Sequence, residues 1–402
     1  MHAETDGGQP QELLVVAGEA SGDAHAAALI RELATRAPAL RTVGVGGDLM
    51  ESAGTELLYH YRGLAVVGIT EVLTHLGDIR RAMNGLLRAV SGRPIAGVVL
   101  VDYPDFNMTL ARRLRRQHPD LPIIYYISPQ VWAWRAGRVQ QLARLVDRML
   151  VILPFEKKLY TDAGVAVDFV GHPLMDEPRA EESRETFAAR IGMDAALPWL
   201  GMLPGSRRRE VERLLRPMLG AARRFLAENR YEAVIPRARG VGKEVYAEAL
   251  ERLEPALRDR VHLVDDDYHG LLPHLRVAVV CSGTATLETA LADTPEVVVY
   301  KTSWLTYNLG KLLVRISDIA LVNVVGGRRG VPELLQRDVT PANIVRHLGP
   351  LAADGPVRAE CLRFLRHVRA QLGEPGASAR AAEAVLSELA ERPTGPTLAT
   401  DC

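Results

Sequence analysis

The chain has 402 residues, 48% of them hydrophobic and 24% charged, which predicts an ordered globular protein and excludes extensive disorder. Lys+Arg and Asp+Glu both number 49, so no net field gathers nucleic acid, and three scattered cysteines without a CxxC exclude a disulfide framework or a thiolate zinc site. The length exceeds one ordinary core and predicts two domains.

Residues 1–12 are polar and lack an apolar core, so no secretory leader is expected. No run of 18 apolar residues occurs, so no membrane span is expected either. Of the 49 basic residues only five are Lys, and an isolated Arg cluster means little against that background.

Short apolar runs alternate with longer amphipathic stretches. LLVVAG (13–18) precedes a helical pattern over 23–33, and GVVLVD (97–102) precedes one over 108–117. IIYYIS (123–128) and MLVILP (149–154) repeat the alternation, which predicts βαβ units and a parallel sheet. Pro173 and Pro178 interrupt it. It restarts at LGMLPG (200–205), EAVIPR (232–237), RVAVVCSG (276–283) and EVVVY (296–300). Two doubly wound α/β domains are therefore expected, residues 1–175 and 176–355, with strand C-termini toward a shared central cleft where ligands bind. C-terminal helices over 356–391 are expected to pack back across the domains. Val357, Cys361, Phe364, Leu365, Val368 and Leu372 recur there at helical spacing, and 392–402 reads as a tail.

The turns after the strands are where chemistry is sought. Gly18-Glu19-Ala20-Ser21-Gly22-Asp23 is either a tight strand-to-helix turn or a site for a hydroxyl-rich ligand, since Glu19 repels phosphate. Gly44-Val45-Gly46-Gly47-Asp48 reads as a second glycine turn. Asp102-Tyr103-Pro104-Asp105-Phe106-Asn107 ends an apolar strand. Its carboxylates suit a general base or simple turn and capping roles, with Asn107 expected to cap the next helix. Trp132 and Trp134 pack or stack on a ligand ring, and Arg135 is an anion contact or background.

In the second half, Ser206 and Arg207 open a helix after a strand and offer hydroxyl and guanidinium donors to phosphate. Ser282, Gly283 and Thr284 repeat that logic, with Glu288 one turn on as a ribose ligand. Asp265-Asp266-Asp267 reads as a solvated turn rather than a metal site, because consecutive residues do not face one point.

Together VAGEASGD (16–23), GVGGDLMESAG (44–54), VVGITEVL (66–73), VDYPDFN (101–107), YISPQVWAWR (126–135), LPFE (153–156), FVGHPLMD (169–176), LPGSR (203–207), SGTATLE (282–288) and PELLQ (332–336) resemble the lipid-A-disaccharide synthase family. These are inverting glycosyltransferases of the GT-B type, with two Rossmann-like domains. The chain departs from the family at Leu321-Val322-Asn323, where a proline usually precedes the asparagine.

The resemblance implies transfer of the sugar of UDP-2,3-diacylglucosamine to 2,3-diacylglucosamine 1-phosphate, giving a β-1,6-linked disaccharide 1-phosphate and UDP. It implies no metal and no cofactor. Asp105 is then the favoured base, with Asp102 and Glu19 as orienting or alternative carboxylates. Ser206, Arg207, Ser282, Gly283 and Thr284 take the diphosphate and Glu288 the ribose. Asn323, Glu333 and Gln336 are donor-side contacts, and Ser21, Trp132 and Arg135 lie on the acceptor side. Val67, Ile69, Val72, Leu73 and Leu76 form a core helix or an apolar patch for acyl chains and the inner membrane. The expected location is cytoplasmic and peripheral on that membrane, with a homodimer compatible. Competing readings are another UDP-sugar enzyme such as an epimerase, and a non-catalytic UDP- or glycolipid-binding protein. A nicotinamide-dependent oxidoreductase is disfavoured because the first turn lacks GxGxxG.

Overall fold

The computed structural model describes residues 11–63, 72–129, 137–177, 182–238, 240–265, 267–302 and 318–391, with the backbone alone for residues 72–76. The chain forms two compact units. One comprises residues up to Asp176 together with those from Gly373 onward, and the other runs from Glu177 to Leu372.

The first unit is built on seven strands: β1 (Glu12–Ala17), β2 (Arg41–Gly46), β3 (Glu56–His60), β4 (Ile95–Val101), β5 (Ile123–Tyr126), β6 (Arg148–Val151) and β7 (Ala166–Phe169). All pair in parallel, in the order β3-β2-β1-β4-β5-β6-β7. β1 and β4 are buried along their whole length, as expected of central strands covered on both faces. Helix Ala20–Arg36 turns Ala26, Ala27, Leu29, Ile30 and Leu33 inward and Glu32 and Arg36 outward. The sheet order reverses between β1 and β4.

The second unit carries β8 (Trp199–Leu203), β9 (Glu232–Arg237), β10 (Val261–Asp265), β11 (Val277–Cys281), β12 (Glu296–Tyr300) and β13 (Glu333–Leu335), parallel in the order β10-β9-β8-β11-β12-β13. Its order reverses between β8 and β11. Helix Arg208–Glu228 buries Val211, Leu214, Leu215, Met218, Leu219, Phe225 and Leu226 and packs against helix Pro341–Ala352. Each such side chain removed from water contributes about 1.5–3 kcal/mol.

Two parallel-sheet α/β units are what the alternation predicts, and three details differ. The second glycine turn is largely strand: Gly44–Gly46 belong to β2, and a Cβ on Gly44 would lie 1.8 Å from the Val15 carbonyl oxygen. Val357 is exposed, whereas Cys361, Phe364, Leu365, Val368 and Leu372 are buried. Helix Pro356–Gln371 stays with the second unit, while helix Ala377–Glu391 returns to the first and packs on helix Ala20–Arg36 and β6. Asp176 fixes that return by accepting from the amides of Gly376 (2.6 Å), Ala377 (3.0 Å) and Ser378 (2.9 Å). Among the described residues no helix is long and apolar enough to cross a membrane.

Candidate functional site

In an open parallel sheet, ligands gather beyond the strand C-termini at the point where strand order reverses. In the first unit that point lies after β1 and β4, where Glu19 and Asp102 stand.

The turn after β4 holds unusual backbone. Asp102 (φ 44°) and Tyr103 (φ 47°) are both left-handed, a conformation that costs non-glycine residues of order 1–3 kcal/mol each. Side chains from the next elements hold it. The Asp102 carbonyl accepts from the Tyr125 hydroxyl (2.5 Å) and from Asn107 Nδ2 (2.8 Å). Asn107 is therefore not the helix cap expected of it. It is buried and ties the helix back to the strand end, also reaching the Val101 carbonyl at 3.3 Å. Tyr103 takes the cap position, and its ring lies over Gly18, where a Cβ would come within 2.1 Å.

The carboxylates around this turn differ in burial. Burial, then the charge of Glu19, pushes the half-buried Asp102 carboxyl up to about 6, against a hydrogen bond from the Tyr103 main chain. Asp105 sits in the first turn of helix Pro104–Gln117, 83% exposed, with Oδ1 2.7 Å from Arg138 Nη2. Glu19 and Ser21 are exposed at the start of helix Ala20–Arg36. Asp23 faces inward instead and accepts from the amides of Gly47 (2.7 Å), Leu49 (3.2 Å) and Met50 (3.1 Å). The first two glycine motifs are thus tied together by one carboxylate. Burial pushes His25 down to about 4, against the pull of Asp176, and His172 down to about 3, where the His25 charge adds to the effect. Both are neutral at physiological pH and supply no cation.

The second unit repeats the arrangement with donors. β8 ends in Leu203-Pro204-Gly205-Ser206-Arg207, and Gly205 is left-handed at φ 112°. A Cβ on Gly205 would lie 2.5 Å from Glu210 Oε2 and 3.2 Å from Cys281 Sγ, so this turn packs against the end of β11. Glu210 accepts from the Arg207 amide (3.2 Å), and its other oxygen stands 3.4 Å from the Arg207 guanidinium. Arg207 is 78% exposed, so that pair is weak and the guanidinium remains available to an anion. After β11, Ser282 donates to the Ile319 carbonyl (3.3 Å), Gly283 has open space where a Cβ would be, and Thr284 is exposed at the helix start. Glu288 is half-buried and its carboxyl is raised by burial, opposed by the Tyr268 hydroxyl and His269.

Asn323, Glu333 and Gln336 form the floor of this region. Asn323 is 1% exposed and fully bonded within the chain. Its Nδ2 donates to the Val331 carbonyl (3.0 Å) and Glu333 Oε1 (2.7 Å), and its oxygen accepts from the amides of Gly330 (2.9 Å) and Val331 (3.1 Å). Glu333 also accepts from the amides of Ile319 (3.0 Å) and Ala320 (3.3 Å). Gln336, left-handed at φ 51°, exchanges two 3.1 Å hydrogen bonds with the Thr302 main chain. These contacts make Asn323 an organiser of the turns around it rather than a side chain with a bond to spare.

Trp132, Arg135, Val67 and Ile69 lie outside the described residues, and Val72, Leu73 and Leu76 lie on helix Val72–Gly92 where only the backbone is described. Among the described residues no three His, Cys, Asp or Glu side chains converge as a metal site would require. Asp265 pairs with Arg237 and Lys243, and Asp267 with Arg190. Sequence reasoning did not single out Arg138, Tyr125 or the Gly18–Tyr103 contact. Their role depends on partners distant in the chain, and a positive φ outside glycine leaves no mark in sequence.

The family model for lipid-A-disaccharide synthetase matches residues 13–385. The lipid-A-disaccharide synthase of Myxococcus xanthus (strain DK1622) is 42% identical over 381 residues, 94% of this chain and 98% of that protein. That of Anaeromyxobacter dehalogenans (strain 2CP-C) is 44% identical over 379 residues, 93% and 97% of the two chains. Among solved structures, a putative UDP-N-acetylglucosamine 2-epimerase from Listeria monocytogenes superposes with a TM-score of 0.65 at 14% identity, covering 96% of this chain and 98% of its own. The calicheamicin glycosyltransferase CalG4 gives 0.56 at 19%, covering 95% and 98%. At such identities these two structures speak to the fold alone, which is GT-B.

Proposed function

Because the chain belongs to the lipid-A-disaccharide synthase family, we propose that it joins UDP-2,3-diacylglucosamine to 2,3-diacylglucosamine 1-phosphate by a single inverting displacement. It is a glycosyltransferase of lipid A disaccharide synthesis that uses a UDP-sugar and a glycosyl acceptor. The observation that carries the finer reading is the strained turn after β4, which puts Asp102 and Asp105 at the strand-switch point of the first sheet.

In this reading the acceptor 6-hydroxyl attacks the anomeric carbon of the donor. The new C–O bond forms as the bond to the UDP oxygen breaks. The hydroxyl proton passes to Asp105, and the electron pair leaves with UDP. Asp105 is exposed and anchored by Arg138, so it can meet an incoming hydroxyl. Asp102 and Glu19 orient that hydroxyl from beneath. In the second unit Arg207, Ser206 and the Ser282–Thr284 turn stabilise the departing diphosphate, and Glu288 accepts from the ribose hydroxyls. Glu333 and Gln336 hold the surrounding turns in place. The same reading assigns the apolar residues Val67, Ile69, Val72, Leu73 and Leu76 to contact with acyl chains and has the protein work peripherally on the cytoplasmic face of the inner membrane.

The test is incubation of the purified protein with both acylated sugars and mass spectrometry of the lipid product. A disaccharide monophosphate together with free UDP is expected. Folded protein that leaves both substrates intact overturns the reading.

A further inference from the structure

Away from the two strand-switch turns, the first unit holds a cavity of ≈ 500 Å³ lined by Tyr59, His60, Gly63, Asp78, Arg81 and Arg88. It lies at the outer edge of the sheet, where β3 is the terminal strand and helix Val72–Gly92 runs alongside. The Tyr59 hydroxyl rests on this helix at Gly85, where a Cβ would lie 2.0 Å from it, so glycine is what lets the tip of the Tyr59 side chain reach the helix. Arg81 and Arg88 stand four residues before and three residues after Gly85. That spacing puts both on one helical stripe, one on each side of the aromatic contact.

The two arginines are differently occupied. Arg81 pairs with Asp78 one turn back, and its side chain is 79% exposed. Arg88 is exposed and has no hydrogen bond or ion pair to any described residue. The Tyr59 hydroxyl donates to the Arg81 carbonyl at 3.5 Å, a long bond that is readily redirected. His60 spends its ring nitrogens elsewhere: its Nδ1 accepts from the Arg62 amide (3.1 Å) and its Nε2 faces Asp48 (3.1 Å). An aromatic surface between two guanidinium groups, one of them unpaired, is a receptor for a dianion carried on a ring.

We propose that this pocket binds a phosphomonoester borne on a sugar or lipid headgroup, with Arg88 and Arg81 on the phosphate and Tyr59 against the group that carries it. The proposal goes beyond the reading above: the pocket lies away from the strand-switch turn that receives the acceptor 6-hydroxyl, so it takes a second phosphomonoester, and the acceptor's own 1-phosphate is the alternative the experiment separates. The same chemistry is offered by the phosphomonoester headgroup of phosphatidate in a membrane, and the experiment separates the two.

The variant is Arg88→Ala, with Arg88→Lys to restore the charge; both change an exposed side chain and are expected to fold. Binding of glucosamine 1-phosphate and of glucosamine to the full chain is measured by calorimetry. The wild type is expected to prefer the phosphorylated sugar, with Arg88→Ala weakening it about tenfold or more and Arg88→Lys recovering part of the loss. In detergent micelles, a KM for the phosphorylated acceptor that rises about tenfold, with kcat and donor KM unchanged, assigns the pocket to the acceptor. An unchanged acceptor KM with reduced sedimentation on phosphatidate-containing vesicles, and not on phosphatidylcholine vesicles, assigns it to a membrane lipid headgroup. Arg88→Ala protein with wild-type affinity for glucosamine 1-phosphate and wild-type vesicle binding overturns the proposal. Should the wild type make no disaccharide, the proposed reaction fails, while the glucosamine 1-phosphate titration still decides the pocket.

Discussion

Replacing Asp102 by Asn is expected to stabilise the protein at neutral pH while lowering its activity. The carboxyl titrates at about 6 in the folded protein against an ordinary 3.8, chiefly because it is buried. Each unit of that gap is worth about 1.4 kcal/mol, so ionising Asp102 costs the native state up to about 3 kcal/mol, less what solvent at its open side recovers. Asn matches its shape, tolerates the left-handed backbone, keeps an oxygen for the Tyr103 amide and carries no charge beside Glu19. Between pH 3.8 and about 6 the native state holds its proton more tightly than the unfolded chain does. Wild-type stability therefore falls as pH rises across that window, and the variant escapes the fall. Urea unfolding of both proteins across this range should give a stability difference near zero below about pH 4 that grows to a plateau of about 1–3 kcal/mol above about pH 6. A difference independent of pH, or one that grows toward acid, refutes the reasoning. Lower activity with higher stability would mark Asp102 as a group kept at a cost for its chemistry.

Asp105→Asn is expected to lower kcat by about 10²-fold or more with UDP affinity unchanged, read by steady-state kinetics and UDP calorimetry; near-wild-type turnover would shift the base to Asp102 or Glu19. Arg207→Ala should weaken UDP binding by about 1.5–3 kcal/mol, the worth of a charge-assisted phosphate contact, and unchanged affinity and turnover would make it a surface charge. Changing Val67 and Leu73 together to Ser should reduce vesicle sedimentation and raise KM for lipid substrates with little change in Tm. Loss of folding with unaltered membrane binding would place these side chains in the core instead.

What the sequence made legible follows from what kind of signal each element leaves. β8, β9, β11 and β12 stand out because a strand buried on both faces is a continuous apolar run, and the turns LPGSR and SGTATLE then fall at the ends of β8 and β11. β2 hid behind its glycines, since RTVGVG reads as a turn until it is known that Val15 leaves no room for a side chain at Gly44. β3 is only half-buried and β13 has three residues, so neither produces a period. The carboxylates Glu19, Asp102 and Asp105 could be picked out because charge is unusual beside an apolar strand. Their working environment could not. The Arg138 guanidinium is 33 residues from Asp105 and Tyr125 is 23 from Asp102, and the left-handed backbone at Asp102 is bonded by Tyr125 and Asn107. Asn107 and Asn323 show the same limit from the other side. Asn107 reads as a helix cap and Asn323 as a ligand contact, yet Asn107 gives its N–H group to main-chain carbonyls and Asn323 is bonded at both ends inside the fold.

Helix Ala377–Glu391 belongs to a unit whose other described elements all precede it by two hundred residues or more. Leu389 fills the space above Gly97 on β4, and Glu388 meets Arg148 on β6 at 2.9 Å. A ribosome that has released β1 to β7 has therefore released a sheet with the patch over β4 and β6 still uncovered. That patch waits through translation of the whole second unit, some ten seconds or more at about 5–20 residues per second. Over that interval the nascent chain presents an apolar patch that helix Ala377–Glu391 later covers. The chain thereby commits its first unit to completion last, and a ribosome stalled before residue 377 leaves an unfinished and aggregation-prone domain rather than a smaller working one.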